Sequence, residues 1–248
     1  MIKLRLIAIA VAITTALLQG CSSAPKKDLT AAELYSQGEA MFAKSRYEEA
    51  IDKWRKVKEE FPEPELAAKA EIGIANAYFL NNSFIEAGVA YEDFRKLHPT
   101  HDLAQFALYR QSLSSFNLIT GIDTDQTPTR NALILFESFV KQYPKSQYVP
   151  KVQDKIAECR GKLAQYEIYV GRFYYRTDYY IAAIGRLEKA LEAFPDYKGH
   201  DETLYYLGKS AMEVRDNEKM QAAFIRLVRE YPKSEYIGEV RKLLAEKG

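Results

Sequence analysis

The histidines and one of the two cysteines are the residues whose types could support catalysis or metal binding. His98 and His101 stand three residues apart, a spacing that could supply two metal ligands, but they flank Pro99 and have no third His or Cys nearby. His200 is alone in a polar segment, where we expect solvent contact or helix capping. Cys159 falls on the apolar side of a helical pattern, so we expect a buried thiol and not a nucleophile.

Common catalytic sequence patterns are missing as well. The chain contains no phosphate-binding loop, no Gly-x-Ser-x-Gly turn and no His-Glu-x-x-His zinc motif. A catalytic centre needs a nucleophile, a base or metal ligands that converge in space, and the sequence suggests no such set. We therefore expect a protein that is not an enzyme and that needs no metal and no cofactor.

Cys21 is the residue for which the sequence predicts covalent chemistry. Residues 1–20 begin with Lys3 and Arg5, continue as an apolar run from Leu6 to Leu18, and end in a small residue. This layout is typical of a secretory signal peptide that is cleaved from the mature protein. As a helix the run would span roughly 20 Å, short of the roughly 30 Å of a bilayer core, so we expect no permanent membrane span.

The segment Leu18-Gln19-Gly20-Cys21 resembles the bacterial lipobox, although Gln19 is bulkier than the usual residue. The resemblance implies cleavage before Cys21 and its modification with S-diacylglycerol and N-palmitoyl groups; ordinary cleavage that leaves an incidental cysteine is the alternative. Several acyl chains together bind a membrane more firmly than the reversible binding of one chain. Because Ser22 stands where aspartate is associated with inner-membrane retention, we expect a lipid anchor on the periplasmic face of the outer membrane. Residues 21–29 would form the lipidated start and a tether.

The amino-acid composition limits the classes of partner that the mature chain is expected to bind. The sequence has 35 basic and 34 acidic residues, and removal of Lys3 and Arg5 with the leader leaves 33 basic residues. Such a balance argues against nucleic-acid binding, which needs a basic surplus. The 18 tyrosines suggest packed helices and contact surfaces for other proteins.

A recurring helix-stop signal indicates internal repeats. An aromatic residue or histidine precedes proline five times, and the prolines are separated by 37, 45, 51 and 37 residues. The five pairs are Phe61-Pro62, His98-Pro99, Tyr143-Pro144, Phe194-Pro195 and Tyr231-Pro232. Proline disfavours helical backbone in the residue before it, so each pair predicts the end of a helix at the same place in a repeat.

Counting back from these prolines, the chain resembles the tetratricopeptide repeat (TPR). In the first unit Gly38, Ala50, Trp54 and Pro62 occupy the positions where that motif has Gly, Ala, a large aromatic and Pro. The resemblance implies an all-α fold, an α-solenoid of about five TPR-like helix pairs with a C-terminal capping helix. We expect units 1–3 over residues 30–144, and a long connecting helix, units 4–5 and the cap over residues 145–248.

The sequence also predicts a loop, a long helix and two N-caps at particular places in the repeat array. The helices of unit 3, about 103–118 and 129–142, are separated by a loop that is either functional or a tolerated insertion. One helix of roughly 40 Å should run from Val149 to Arg176, because apolar spacing continues without a turn signal. Ser146 and Ser234 would act as N-caps of the helices that follow, the last of which would span about 235–247.

In the TPR family the first helix of each pair lines a concave groove. An aromatic groove with a few polar groups suits an extended peptide. The alternative is that about half of these side chains pack against neighbouring helices. The positions that match, termed the concave groove below, are Tyr35, Glu39, Phe42, Ile72, Asn76, Phe79, Phe106, Tyr109 and Phe116.

A second candidate surface is rich in arginine and tyrosine, the types that are enriched in interface hot spots. Arg186 precedes the packing position Leu187, so it should point away from the core. A merely solvated face is the alternative. The residues, termed the unit-four surface below, are Arg172, Tyr175, Arg176, Tyr179 and Arg186.

Taken together, the lipobox, the five TPR-like units, the expanded third turn and the long helix resemble the BamD (YfiO) family of outer-membrane lipoproteins. Segments that carry the resemblance include residues 47–51, 107–109, 162–167 and 186–188. It implies a non-catalytic part of the β-barrel assembly (BAM) machinery, in which units 1–3 bind unfolded outer-membrane proteins and units 4–5, with Arg186, contact a BamA-like insertase. Accessory BAM lipoproteins would be further partners. Another periplasmic TPR lipoprotein, a pilus-secretin pilotin or a cell-division coordinator, is the alternative.

Overall fold

The computed structural model describes residues 29–61 and 64–247, which are helical apart from turns and loops. The predicted signal peptide and Cys21 lie outside the described residues. Within the described ranges, no helix is both long and apolar enough to cross a membrane. The helices are α1 (Ala31–Ala43), α2 (Tyr47–Glu60), α3 (Pro64–Leu80), α4 (Phe84–Leu97), α5 (Ala104–Asn117), α6 (Thr127–Gln142), α7 (Val149–Arg176), α8 (Tyr180–Ala193), α9 (His200–Glu213), α10 (Asn217–Glu230) and α11 (Ile237–Lys247).

The helices stack in chain order, so the predicted all-α TPR solenoid is confirmed. Each helix packs chiefly against the next one in the chain, and first helices of neighbouring units also meet, as α1 meets α3 and α7 meets α9. Five pairs follow one another from α1–α2 to α9–α10, and α11 packs on α10 with Val240 buried. Alternating contact of this kind buries one stripe of every helix and leaves an extended surface.

The predicted helix stops are confirmed by the backbone. α2, α4, α6, α8 and α10 all end immediately before the aromatic or histidine residue that precedes proline. In each case the N–H of that residue still donates to the carbonyl four residues earlier, as from Phe61 to Val57 at 3.2 Å and from His98 to Phe94 at 2.8 Å. The helix then stops because the following proline offers no N–H and restricts the residue before it.

Units 1, 2, 4 and 5 share a short turn between their two helices that the sequence did not reveal. Its middle residue has a positive φ in every case, near 60°. The four residues are Ser45, Asn82, Asp178 and Arg215. Asparagine and aspartate tolerate this left-handed conformation, whereas arginine adopts it at a cost. In unit 3 the corresponding connection is the loop of residues 118–126.

Close helix crossings explain the repeat glycines. A Cβ added to Gly38 would lie 2.4 Å from Nε1 of Trp54, and one added to Gly208 would lie 2.2 Å from Cε1 of Phe224. Trp54 and Phe224 are both buried. The first helix of the pair can therefore approach the large aromatic residue of the second only where it lacks a side chain.

The predicted long helix is confirmed as α7, of 28 residues, but the two predicted serine N-caps are wrong. α7 and α11 begin three residues after Ser146 and Ser234, at Val149 and Ile237. Each serine hydroxyl instead accepts a hydrogen bond from the backbone N–H two residues later, at 3.2 Å and 3.3 Å. Serine stabilises a preceding turn here, a local bond that competes with capping.

The expectation for His200 is also wrong, since this residue is fully buried at the start of α9. Nε2 donates to the carbonyl oxygen of Phe194 at 2.8 Å, and Nδ1 lies 3.1 Å from Oγ1 of Thr203. Burial lowers the pKa of His200, although the bond to Phe194 acts in the opposite direction. The imidazole therefore joins the α8–α9 turn to α9 as a neutral core group.

Candidate protein-interaction surfaces

The side chains that could act in catalysis or metal binding are held in structural contacts. His98 places Nε2 2.7 Å from Oε2 of Glu71, and its ring lies 6.2 Å from that of His101. Among the residues that the structure describes, no three His, Cys, Asp or Glu side chains are grouped so that they could hold a metal ion. Cys159 is buried on α7, and desolvation raises the pKa of its thiol to about 11. A thiol with this pKa is protonated and a poor nucleophile at neutral pH.

The unit-1 part of the concave groove surrounds Trp54. The rings of Tyr35 and Phe42 lie 6.1 Å and 5.6 Å from that of Trp54, whose Nε1 donates to the Tyr35 carbonyl at 3.2 Å. Both rings are half-buried and Glu39 is exposed. Burial and the neighbouring Glu39 raise the pKa of Tyr35. Tyr35 and Phe42 therefore combine core packing with a partly accessible face.

The prediction that Ile72 lines the groove is wrong. Only 7% of this residue is exposed, and it belongs to the core shared with Ala75 and Tyr91. It offers no surface to a ligand, because it lies on the face of α3 that packs against α4. Helical spacing alone could not separate the two faces of a helix that is apolar nearly all round.

Asn76, Phe79 and Phe106 do come together, around a residue that sequence reasoning missed. The Arg110 guanidinium lies over the Phe79 ring at 3.6 Å, and 5.7 Å from the centre of the Phe106 ring. Its Nε donates to the hydroxyl of Tyr91 at 3.2 Å. The available signal was the position of Arg110 on the same helix, four residues after Phe106.

Tyr109 and Phe116 are largely packing residues, as the alternative proposed. The Tyr109 ring stacks on that of Tyr148 with centres 4.5 Å apart and an angle of 12° between the planes. Phe116 meets Phe136 edge-on at 6.2 Å, and Nζ of Lys155 lies 4.0 Å from its ring centre. These contacts join unit 3 to the start of α7, and both rings remain half-buried.

The unit-four surface is organised by ion pairs. Nη1 of Arg186 lies 2.9 Å from Oε2 of Glu167, and Nζ of Lys189 lies 2.7 Å from Oε1 of the same carboxylate. Burial opposes ionisation of Glu167, but the hydrogen bonds from Lys189 and Arg186 outweigh it and hold its pKa below the ordinary value. Arg172 similarly pairs with Glu202 at 2.9 Å.

The aromatic part of this surface is divided between packing and exposure. Tyr175 lies against Tyr180 and Tyr206, with ring centres 5.8 Å and 5.3 Å away. Arg176 is exposed, and Tyr179 is 66% exposed. Further exposed apolar groups at the α7–α8 end, Phe173 and Ile181, were missed because a helical pattern assigns such types to the core.

The unit-3 loop rests on α7. Oγ1 of Thr124 donates to the Gly121 carbonyl at 2.6 Å, and the buried Gln126 donates to the same carbonyl at 3.2 Å. Ile122 and Arg172 line one small cavity, of about 70 Å³. The loop thus reaches the edge of the unit-four surface and is ordered by its own hydrogen bonds.

A family model described as "YfiO: Outer membrane lipoprotein" matches residues 27–221. The outer membrane protein assembly factor BamD of Caulobacter vibrioides is 26% identical over 248 residues, which cover 98% of this chain and 81% of that protein. The Rickettsia prowazekii protein of the same name is 28% identical over 230 residues, 92% of each chain. A solved structure of the TPR2AB domain of yeast Sti1 in complex with pHSP90 has a TM-score of 0.41 and 9% identity, covering 86% of this chain and 96% of that one.

Proposed function

The chain belongs to the YfiO family of outer membrane lipoproteins, whose model matches residues 27–221, and from this we propose that it is an assembly factor for outer-membrane β-barrel proteins. The observation that carries the proposal is the match along nearly the whole chain to relatives named outer membrane protein assembly factor BamD. The protein acts by binding and not by catalysis, and it needs no cofactor.

Unfolded outer-membrane proteins bind to the concave face of units 1–3. Partly accessible aromatic rings of Tyr35, Phe42 and Phe106 support this assignment, together with the polar groups of Asn76 and Arg110 between them. Rigid rings bury apolar area at low cost in conformational entropy, which suits extended segments of varied sequence.

A BamA-like insertase docks on the unit-four surface, and accessory BAM lipoproteins complete the assembly. The half-exposed Arg186, the exposed Arg176 and the exposed ring of Tyr179 supply the residue types that dominate interface energies. The loop of residues 118–126 lies at the edge of this surface and would limit how a partner approaches it.

Acylation of Cys21 anchors the protein to the periplasmic face of the outer membrane. The lipid sets the distance of the solenoid from the membrane, so that bound substrate stays close to the site of insertion. A Cys21→Ser variant should leave the solenoid folded but release it from the membrane fraction, which fractionation and mass spectrometry of the N-terminal peptide would show.

Depletion of the protein in its host is the test of the proposal as a whole. We expect the amounts of β-barrel proteins in the outer membrane to fall, and a β-barrel insertase to copurify with the tagged chain. Normal barrel levels together with loss of pili or failed cell division would contradict the proposal.

Arg186→Ala tests the docking surface separately. It should reduce copurification of the insertase, whereas Arg226→Ala should not. Arg226 is a matched control because its side chain is 39% exposed, against 36% for Arg186, and it also pairs with one glutamate, Glu230.

A further inference from the structure

Arg110 lies against Phe79 and Phe106 of the predicted concave groove, and its contacts occupy only part of its guanidinium. One face stacks on Phe79 at 3.6 Å, and Nε donates to the Tyr91 hydroxyl at 3.2 Å. No carboxylate among the described residues pairs with it, and neither Nη1 nor Nη2 has a hydrogen-bond partner in that part of the chain. The two terminal nitrogens therefore present donors to solvent from a fixed position.

The hydrogen bonds around Tyr91 determine the orientation of Asn76. Because the Tyr91 oxygen accepts from Arg110, its own proton is available for Oδ1 of Asn76, which lies 2.6 Å away. Nδ2 of Asn76 is then left with two donors and without a partner among the described residues. Tyr91 is fully buried, so it holds both side chains from below without contacting a ligand itself.

From this arrangement we propose that Arg110 and Asn76 form a subsite for one carboxylate, supplied by an Asp or Glu side chain of an extended polypeptide. The inference rests on the proposed function and adds a chemical class to the ligands of the groove. A planar guanidinium fork matches a carboxylate in two parallel hydrogen bonds, and a neutral amide adds a third donor. A phosphate dianion would leave charge uncompensated, because Arg110 is the single cation of this cluster among the described residues.

The carboxylate belongs to a side chain and not to a chain end. Candidate groove residues lie on both sides of the subsite along the chain: Tyr35 and Phe42 on α1 come before it, and Phe116 on α5, whose packed ring is only half-buried, comes after it. A segment that contacts both sides continues past Arg110 in both directions. Only a side chain of such a segment can deliver its carboxylate to the middle of the groove.

Binding of short labelled peptides to the purified chain, measured by fluorescence anisotropy, tests the subsite. The probes are acetylated peptides of alternating serine and tyrosine: one amidated with a central glutamate, one amidated with glutamine there, and one with glutamine and a free C-terminus. We expect the glutamate peptide to bind about tenfold more tightly than either other peptide, the effect of one charge-assisted pair. Its advantage should shrink as salt is raised.

Three variants test whether that advantage depends on Arg110. In Arg110→Gln the glutamate preference should disappear while the glutamine peptide binds as before. Arg130→Gln removes the same charge from an exposed position on α6 and should leave the preference intact. Asn76→Asp should also abolish the preference, because the new carboxylate occupies the Arg110 donors while Arg110 itself is retained.

The outcomes separate this inference from the proposed function. Equal binding of all three peptides would overturn the carboxylate subsite and leave the peptide groove standing. Arg110-dependent binding of the free C-terminus instead of the glutamate side chain would overturn the stated source. A glutamate preference that survives Arg110→Gln or Asn76→Asp would overturn the site, and failure of every peptide to bind would count against the groove as well.

Discussion

The carboxylate of Glu167 lies 2.9 Å from the guanidinium of Arg186, and this pair joins the long helix α7 to α8 at the edge of the candidate docking surface. Only 4% of the Glu167 side chain is exposed, whereas Arg186 and Lys189 are 36% and 55% exposed. One buried anion thus holds two cations whose outer parts remain in contact with solvent. The charge that reaches the surface is therefore positive, although a carboxylate lies beneath it.

Replacing Glu167 by glutamine should destabilise the protein by about 1–2 kcal/mol. The loss is smaller than for a fully buried pair, because Arg186 and Lys189 can regain water. Urea denaturation followed by circular dichroism measures it. Glu239→Gln is the matched control, since Glu239 also accepts from two groups, Tyr205 and Lys209, but its side chain is 48% exposed. A control that costs as much as Glu167→Gln would show that burial is not the cause.

The glycine crossings predict opposite effects of one substitution at two places. Gly208→Ala should cost about 1–3 kcal/mol, because its Cβ would meet the buried ring of Phe224. Gly185→Ala should instead stabilise by about 0.5–1 kcal/mol, because Gly185 is an exposed helical residue with nothing within 4 Å of an added Cβ. Thermal and urea unfolding of both variants compare them. A neutral Gly208→Ala would mean that the α9–α10 crossing can open without cost.

The left-handed residue of the repeated turn predicts opposite effects on stability when arginine and asparagine replace each other there. Arg215 has φ 62° and Asn82 has φ 59° at equivalent positions of units 5 and 2. Arg215→Asn should stabilise the protein by about 0.5 kcal/mol, and Asn82→Arg should destabilise it by a similar amount, since asparagine tolerates the left-handed region better. Equal unfolding midpoints for all three proteins would refute this account of the turn.

Buried His200 predicts a dependence of stability on pH. Burial lowers its folded-state pKa, so below about pH 6.5 the unfolded chain binds a proton that the folded protein does not. The free energy of unfolding should fall as the pH drops through this value, by at most about 1.4 kcal/mol per pH unit from this group. The opposing charges nearby are Arg226 on one side and Asp201 and Glu230 on the other.

His200→Gln isolates that contribution. The variant will itself be less stable, because the bond to Phe194 is altered, so the informative quantity is the slope of stability against pH. We expect a shallower slope between pH 7 and pH 5 in the variant. Identical slopes would show that His200 takes up its proton equally in both states.

The order and ends of the helices were determined by local sequence. Five aromatic or histidine residues before proline ended five helices, because proline acts on its immediate neighbour. The long α7 followed from apolar spacing without a break. Gly38 and Trp54 identified the crossing of the first pair, since close approach needs a residue without a side chain. Such features depend on neighbours in the chain or on one packing rule, so they can be predicted from the sequence.

Only the tertiary structure decided which side chains are buried and which meet. Ile72 and His200 carried the patterns of surface positions, yet both are buried by helices that pack over them. Arg110 and Asn76 are 34 positions apart and become one cluster through the buried hydroxyl of Tyr91. Glu167 is likewise bound by Arg186 and Lys189 on the following helix. Local patterns set the faces of a helix, but the rotation of each helix against its neighbours selects the partners of each polar group.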